Sequence, residues 1–428
     1  MTNNNSYFKH DYGNGLRLLT VPMKSTKTVT VLVLVATGSR YETREINGIS
    51  HFLEHLMFKG TDKRPGALDI STELDAIGAD YNAFTSKEYT GYYVKCASEK
   101  LDTALDVISD IFQNSKFDSK EIDKERGAIK EEINMYFDTP MRYVNTLYEE
   151  VAYGDTPLGW DIAGPKKNID DITREQILDY FNTHYFARNT VISIAGDIDK
   201  DKAVEEVGKY FNNVREQDEV NPNSWKNEQT EPSLKIFHKK TDQTHLNLGF
   251  KAYNRSHPKF HVQEVTSVLL GAGMSSRLFT EVREKRGLAY RVNAGVSSYI
   301  EVGDFITQAG ITNEKIVPAI EVILNEYKKL TEESVLEKEL RKTKDYIKGK
   351  TAIGLEASDA QASYYADQEL LENKIETVEE KLEKFDSVTS EEIQTMAKDV
   401  FQPKNLNVAL IGPFKDDDEK IARVVKEW

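Results

Sequence analysis

The sequence predicts an α+β protein of two homologous domains, each a mostly antiparallel sheet with helices packed on one face. A chain of 428 residues exceeds what a single hydrophobic core fills, so two domains of about 200 residues each are expected. β-Branched runs that read as antiparallel strands are mixed with long helical patterns in each half, the composition of a sheet covered by helices. The third observation is a repeat. Beyond residue 232 the order of elements begins again, at a constant offset that carries Thr173 onto Thr389.

The repeat can be followed position by position. Thr173-Arg-Glu-Gln-Ile177 matches Thr389-Ser-Glu-Glu-Ile393, and Asn189, Ile192, Ile194 and Gly196 fall on Asn405, Val408, Leu410 and Gly412. A strand beginning at Thr28 falls on one beginning at Thr244. The stretch from Arg215 to Pro232, with Asn221-Pro-Asn-Ser and few apolar residues, reads as the linker. The expected domains are therefore 1–214 and 233–428, joined by 215–232.

Within the first half, Leu16 to Val21 and Val29 to Ala36 read as strands, and a loop from Gly38 to Asn47 leads into a helix. A second helix covers about Ala67 to Ile77 and ends at Gly78. Asp80 to Thr85 and Tyr89 to Ala97 are two more strands of the same sheet. From Glu99 to Tyr153 the pattern is helical in three pieces, broken near Phe117 and at Pro140. Asp171 to Tyr185 is a further helix, and Thr190 to Ala195 a closing strand.

Charge and cysteine usage narrow the function. A formal charge of −15 argues against a general nucleic-acid binder, whose footprint is basic. The single cysteine, Cys96, permits no intrachain disulfide, as expected of a reducing compartment. Met1-Thr-Asn-Asn-Asn-Ser-Tyr7 lacks the regions of a signal peptide, and Val29 to Ala36, the longest apolar run, is too short to span a bilayer. A cytoplasmic protein with no membrane and no nucleic-acid partner is expected.

The chemistry concentrates in Gly48-Ile-Ser-His-Phe-Leu-Glu-His-Leu-Met-Phe-Lys59. At about 100° per residue, His51 and His55 lie one turn apart on one helix face, where two imidazoles can converge on a cation. Neutral imidazoles suit Zn²⁺, and the carboxylate of Glu54 beside them can take a proton from water held there. With eight histidines, a His-x-x-Glu-His pattern arises by accident in about one such chain in a hundred. Leu53, Leu56 and Met57 surround these groups, and burying three ionisable side chains together is costly without a cation to compensate. At the repeat offset, His51, Glu54 and His55 fall on Ser267, Leu270 and Gly271, so the second half carries no such motif.

A catalytic zinc takes three protein ligands, so one more is required. Candidates lie in the helical stretch Glu121 to Ile133. At about 100° per residue, Ile122, Ile129 and Ile133 fall on one narrow stripe, which defines the buried face. Glu125 and Glu132, two turns apart, lie together along one edge of that stripe, whereas Glu131 points the opposite way. Either Glu125 or Glu132 can thus approach the histidines.

His51-Phe-Leu-Glu-His55, followed by Glu125-Arg-x-x-x-x-x-Glu132, resembles the pitrilysin family of zinc peptidases, which includes insulin-degrading enzyme and the mitochondrial processing peptidases. The resemblance implies that Glu132 is the third ligand of one zinc per chain, that Glu125 supports the site from behind, and that Glu54 is the general base. Asn82-Ala-Phe84, opening the stretch to Tyr93, resembles the family's edge strand, which pairs with the substrate backbone. Arg283 and Tyr290, in the second half, resemble the family's donor pair and would stabilise the oxyanion formed when water attacks a peptide carbonyl. A zinc endopeptidase acting on peptides or unfolded segments inside a chamber is implied, and a homodimer is the simplest assembly. Two other outcomes fit less of the sequence: a noncatalytic family scaffold, which has no use for His51, Glu54, His55 and Glu132, and a module that captures extended peptides by strand addition without cutting them.

Overall fold

The computed structural model describes residues 6–218, 220–222 and 224–428. Met1 to Asn5, on which the reading of the chain start partly rests, and Glu219 and Asn223 of the expected linker lie outside the described residues. In chain order the first half contains β1 (Phe8–Asp11), β2 (Arg17–Pro22), β3 (Thr28–Val35), α1 (Ile49–Leu56), α2 (Ala67–Ala76), β4 (Asp80–Thr85), β5 (Thr90–Ala97), α3 (Leu101–Asn114), α4 (Ser119–Asp138), α5 (Pro140–Tyr153), α6 (Lys166–Asp171), α7 (Arg174–His184), β6 (Thr190–Gly196) and α8 (Lys200–Tyr210). The second contains β7 (Ser233–His238), β8 (Gln243–Ala252), α9 (Phe260–Gly271), β9 (Ala289–Ser298), β10 (Gly303–Thr312), α10 (Ile316–Glu332), α11 (Glu337–Gly354), α12 (Ser358–Glu372), α13 (Val378–Ser387), α14 (Ser390–Val400), β11 (Leu406–Gly412) and α15 (Glu419–Lys426).

The offset that aligns the two halves in sequence governs the structure as well. Shifted by it, β2, β6 and α7 land end for end on β7, β11 and α14. The sheet orders β2-β6-β3-β5-β4 and β7-β11-β8-β10-β9 then coincide, with β1 added outside β2. In each sheet the first of these pairs is parallel and the others antiparallel. α7 and α14 begin with the same capping box, in which the hydroxyls of Thr173 and Thr389 accept from the backbone N–H of Gln176 and Glu392.

Contacts group the chain into two units. One comprises Met1–Ile133, Asp161–Asn223 and Ala352–Thr377, and the other Asn134–Trp160, Ser224–Thr351 and Val378–Trp428. Two segments therefore depart from a division at the linker: α5 belongs with the second sheet and α12 with the first. The strands explain the exchange. β3, Thr-Val-Thr-Val-Leu-Val-Leu-Val, is apolar almost throughout because both of its faces are covered. Val29, Val31, Val33 and Val35 pack with Phe52 of α1 and Leu105 and Ile108 of α3, whereas Leu32 and Leu34 face Ala362, Tyr365 and Ala366 of α12. In the second unit Val144, Leu147 and Tyr148 of α5 cover Ala409 and Ile411 of β11 in the equivalent way. Periodicity shows that α5 and α12 have an apolar side, but not which sheet that side will cover.

Among the described residues no helix is long and apolar enough to cross a membrane.

Candidate metal centre

α1 and α4 build the site in the first unit. Gly48, at φ 105°, turns the chain into α1, and a Cβ there would meet the Ala163 carbonyl oxygen at 2.6 Å, so only glycine fits. Ile49, Phe52, Leu53 and Leu56 are buried in the sheet-side core, which leaves His51, Glu54 and His55 along the flank. On α4, Ile122 and Ile129 are buried, Glu125 is buried beside them, Glu132 is half-buried and Glu131 is exposed. The angular sorting of this helix holds for side-chain exposure.

Three atoms able to bind a metal converge. His51 Nε2 and His55 Nε2 are 3.3 Å apart, His55 Nε2 and Glu132 Oε2 are 3.3 Å apart, and His51 Nε2 and Glu132 Oε2 are 3.6 Å apart. A tetrahedral zinc with bonds of about 2.0–2.1 Å requires donor atoms about 3.3–3.4 Å from one another. The three separations fit that geometry, and these residues are the metal-competent cluster found among the described residues. Behind the ligands, Glu125 Oε1 lies 2.9 Å from His55 Nδ1, and Lys59 Nζ lies 2.7 Å from Glu125 Oε2. The Nδ1 of His51, by contrast, is buried without a hydrogen-bond partner.

Electrostatics divide the two imidazoles. Burial pulls His51 down to about 4, helped by the charge of His55 and opposed by Glu132. Burial also works against a proton on His55, yet the hydrogen bonds with Glu125 and Glu132 outweigh it and push this ring up to about 9. Glu132 is lowered, chiefly by its hydrogen bond with His55; Glu125 is lowered against the effect of burial, by His55 and Lys59. Positive charge is favoured between the two carboxylates, and a bound cation would supply it while requiring both imidazoles to be neutral.

Glu54 stands apart from the ligand atoms. Burial raises its pKa, opposed by the hydroxyl of Thr85, which donates to Oε2 at 2.6 Å. Neither Thr85 nor Lys59 was singled out by the sequence. For Thr85 the signal was available, because alternation along β4 puts Tyr81, Ala83 and Thr85 on one face, and Tyr81 and Ala83 pack into the core that holds α1. Lys59 sits four positions beyond His55, one helical turn in sequence.

Asn82, Ala83 and Phe84 lie in β4, at the end of the strand order, where among the described residues β4 pairs with β5 alone. Asn82 turns its Oδ1 onto the N–H of Ala83 at 2.9 Å. Arg283 and Tyr290 lie in the second unit and adjoin one another: Arg283 Nη1 donates to the Tyr290 carbonyl at 2.8 Å and its guanidinium sits 5.1 Å from the centre of the Tyr290 ring. Tyr290 is 73% exposed. In the same unit the equivalent of His55 is Gly271, where even a Cβ would meet Ala294 N at 2.0 Å. The room that α1 leaves for imidazoles is closed there by β9.

Two nitrogens and an oxygen at tetrahedral spacing, with a proton-hungry carboxylate alongside, are the furniture of a metallohydrolase, and the second unit repeats the fold without them. Residues 17–166 match the model of the insulinase family, peptidase family M16, and residues 171–347 match that of the inactive domain of peptidase M16. The chain belongs to the M16 peptidase family. It is 36% identical to the uncharacterised zinc protease YmxG of Bacillus subtilis, over 94% of this chain and 97% of that protein. Identity to an uncharacterised zinc protease of Streptomyces coelicolor is 34%, over 94% of this chain and 88% of the other. A protease of Helicobacter pylori of known crystal structure shares the fold with a TM-score of 0.89 at 24% identity, covering 95% of this chain and 99% of that one.

Proposed function

We propose that this chain is a zinc-dependent endopeptidase acting on peptides or unfolded segments, with one zinc held by His51, His55 and Glu132. The observation that carries the reading is the 3.3 to 3.6 Å spacing of the three ligand atoms beside Glu54. When bound, zinc supplies a Lewis acid that polarises a carbonyl and makes a water nucleophilic near neutral pH. Glu54 takes the proton of the attacking water and later delivers it to the leaving amine. Thr85 fixes one oxygen of Glu54, which leaves the other to meet the water. Glu125, steadied by Lys59, sets the ring plane and tautomer of His55. Asn82, Ala83 and Phe84, on the edge strand, receive the substrate backbone. Arg283 and Tyr290 are donors for the developing oxyanion. One chain encodes both a metal half and a donor half, so a homodimer enclosing the substrate supplies complete sets without a second gene product. The single buried Cys96 is in keeping with a cytoplasmic setting.

Metal analysis of the purified protein, paired with cleavage of an internally quenched peptide with and without chelator, tests this reading. Stoichiometric zinc and chelator-sensitive cleavage support it. Zinc with peptide binding but no cleavage would make the chain a capture module, and no zinc at all a scaffold.

A further inference from the structure

Glu42 lies in the loop ahead of α1, has no part in the chemistry assigned above, and is 2% exposed. Its Oε2 accepts from the backbone N–H of Gly48 and from Asn47 Nδ2, each at 2.8 Å, and its Oε1 accepts from the backbone N–H of Ser50 at 2.8 Å. The Ser50 side chain is a further hydrogen-bond partner. The backbone and amide partners are all donors, so both oxygens act as acceptors, an arrangement that favours the carboxylate. Burial raises its pKa on balance, and these bonds limit the rise. The positive pole of α1 compensates the charge.

α1 needs such help. It spans eight residues, about two turns, too short to hold its shape by propensity alone. Its N-cap, Gly48, has no side chain with which to meet the first N–H groups. Glu42 caps the helix from outside, gripping one N–H just before it and one in its first turn, immediately ahead of His51. Around this grip the loop is tied down: Asn47 Nδ2 also donates to the Asp161 carbonyl at 3.0 Å, and Ser50 Oγ lies 2.8 Å from the hydroxyl of Tyr180, itself 2.9 Å from Thr37 Oγ1. Side-chain ends stand about 5–6 Å from a helix axis, so a rotation of α1 by about 10° moves the imidazole nitrogens by about 1 Å. Metal bonds tolerate about 0.2 Å.

We infer that Glu42 is a positioning residue whose carboxylate sets the rotation and height of α1, and thereby the zinc affinity of His51 and His55 and the aim of Glu54. The inference rests on the zinc peptidase reading. A merely structural role would lower stability and leave the affinity of the folded protein unchanged.

The full-length wild type, Glu42→Gln and Leu248→Ala are stripped of metal and titrated with zinc against a competing chelator, at a temperature where circular dichroism shows each to be folded. Cobalt(II) at the same site reports ligand geometry through its visible spectrum. Leu248, fully buried in the second unit, supplies a loss of stability in the unit that does not contain α1. Glu42→Gln is expected to weaken zinc at least tenfold and to alter the cobalt spectrum, whereas Leu248→Ala lowers the melting temperature with zinc affinity intact. A folded Glu42→Gln protein within twofold of wild-type affinity overturns the inference. If Glu42→Gln does not fold, Glu42→Asp, which keeps the charge but withdraws it by one methylene, is read by the same two criteria. A wild type that takes no zinc overturns this inference and the peptidase reading together; one that takes zinc without cutting peptides overturns the peptidase reading alone.

Discussion

Glu125 Oε1 stands 2.9 Å from Nδ1 of His55, on the far side of the ring from the Nε2 that faces His51 and Glu132. That carboxylate holds the ring as an Nδ1–H donor and so leaves Nε2 free for a metal. Replacing Glu125 with Gln keeps the shape but removes the charge and one acceptor. Zinc affinity is expected to fall by about 10–100-fold in a chelator competition. Unchanged affinity would remove Glu125 from its supporting role.

Thr85→Val preserves side-chain volume and deletes the hydroxyl that donates to Glu54 at 2.6 Å. Zinc content should stay at the wild-type level, since Thr85 does not meet the ligand atoms. With Glu54 free to turn, kcat is expected to fall by about 10-fold or more, a part of the roughly 10²–10⁴-fold that a positioned general base contributes. Steady-state kinetics on a quenched peptide would decide it, and a wild-type kcat would contradict the role.

Gly271→Ala probes why the second unit has no metal motif. The added Cβ meets Ala294 N at 2.0 Å, and backbone cannot move aside as a side-chain tip can. A loss of about 1–3 kcal/mol is expected, seen as a lower melting temperature. An unchanged melting temperature would show that α9 can stand off β9, and that packing at Gly271 is not what keeps imidazoles out of this unit.

Much of this fold was legible because the repeat constrained it. Thr173 and Thr389 matched in sequence and now cap equivalent helices. The angular argument for α4 separated exposed Glu131 from Glu125 and Glu132 because Ile122 and Ile129 fix the buried stripe. The exchange of α5 and α12 was not legible: an apolar stripe does not name the sheet that covers it. Glu42 was hidden for a related reason, since its partners Gly48 and Ser50 offer backbone N–H groups, which carry no signature in side-chain identity.

Asp304, in the second unit, gives a pH test that does not involve His51, His55 or Glu132. Burial raises its carboxyl from 3.8 to about 7, although Tyr153 and Tyr148 donate to it. A carboxyl raised on folding keeps its proton longer in the native state, so its contribution to stability falls as pH climbs from about 4 to about 7 and then levels off. Lys251, lowered to about 8 by burial, acts in the opposite sense, its contribution falling as pH drops from about 10.5 to about 8. Between pH 5 and pH 7 the Asp304 effect dominates the pair. The melting temperature of Asp304→Asn minus that of wild type should therefore increase across this range. Parallel curves would mean that Asp304 is ionised throughout.

The central claim is that His51, His55 and Glu132 hold zinc while Glu54 works on water without binding the metal. Zinc content and peptide cleavage, measured together on Glu54→Gln and Glu132→Ala, separate the two roles. The account predicts that Glu54→Gln retains wild-type zinc with cleavage abolished, and that Glu132→Ala loses both. Zinc lost from Glu54→Gln, or held at the wild-type level by Glu132→Ala, would contradict it.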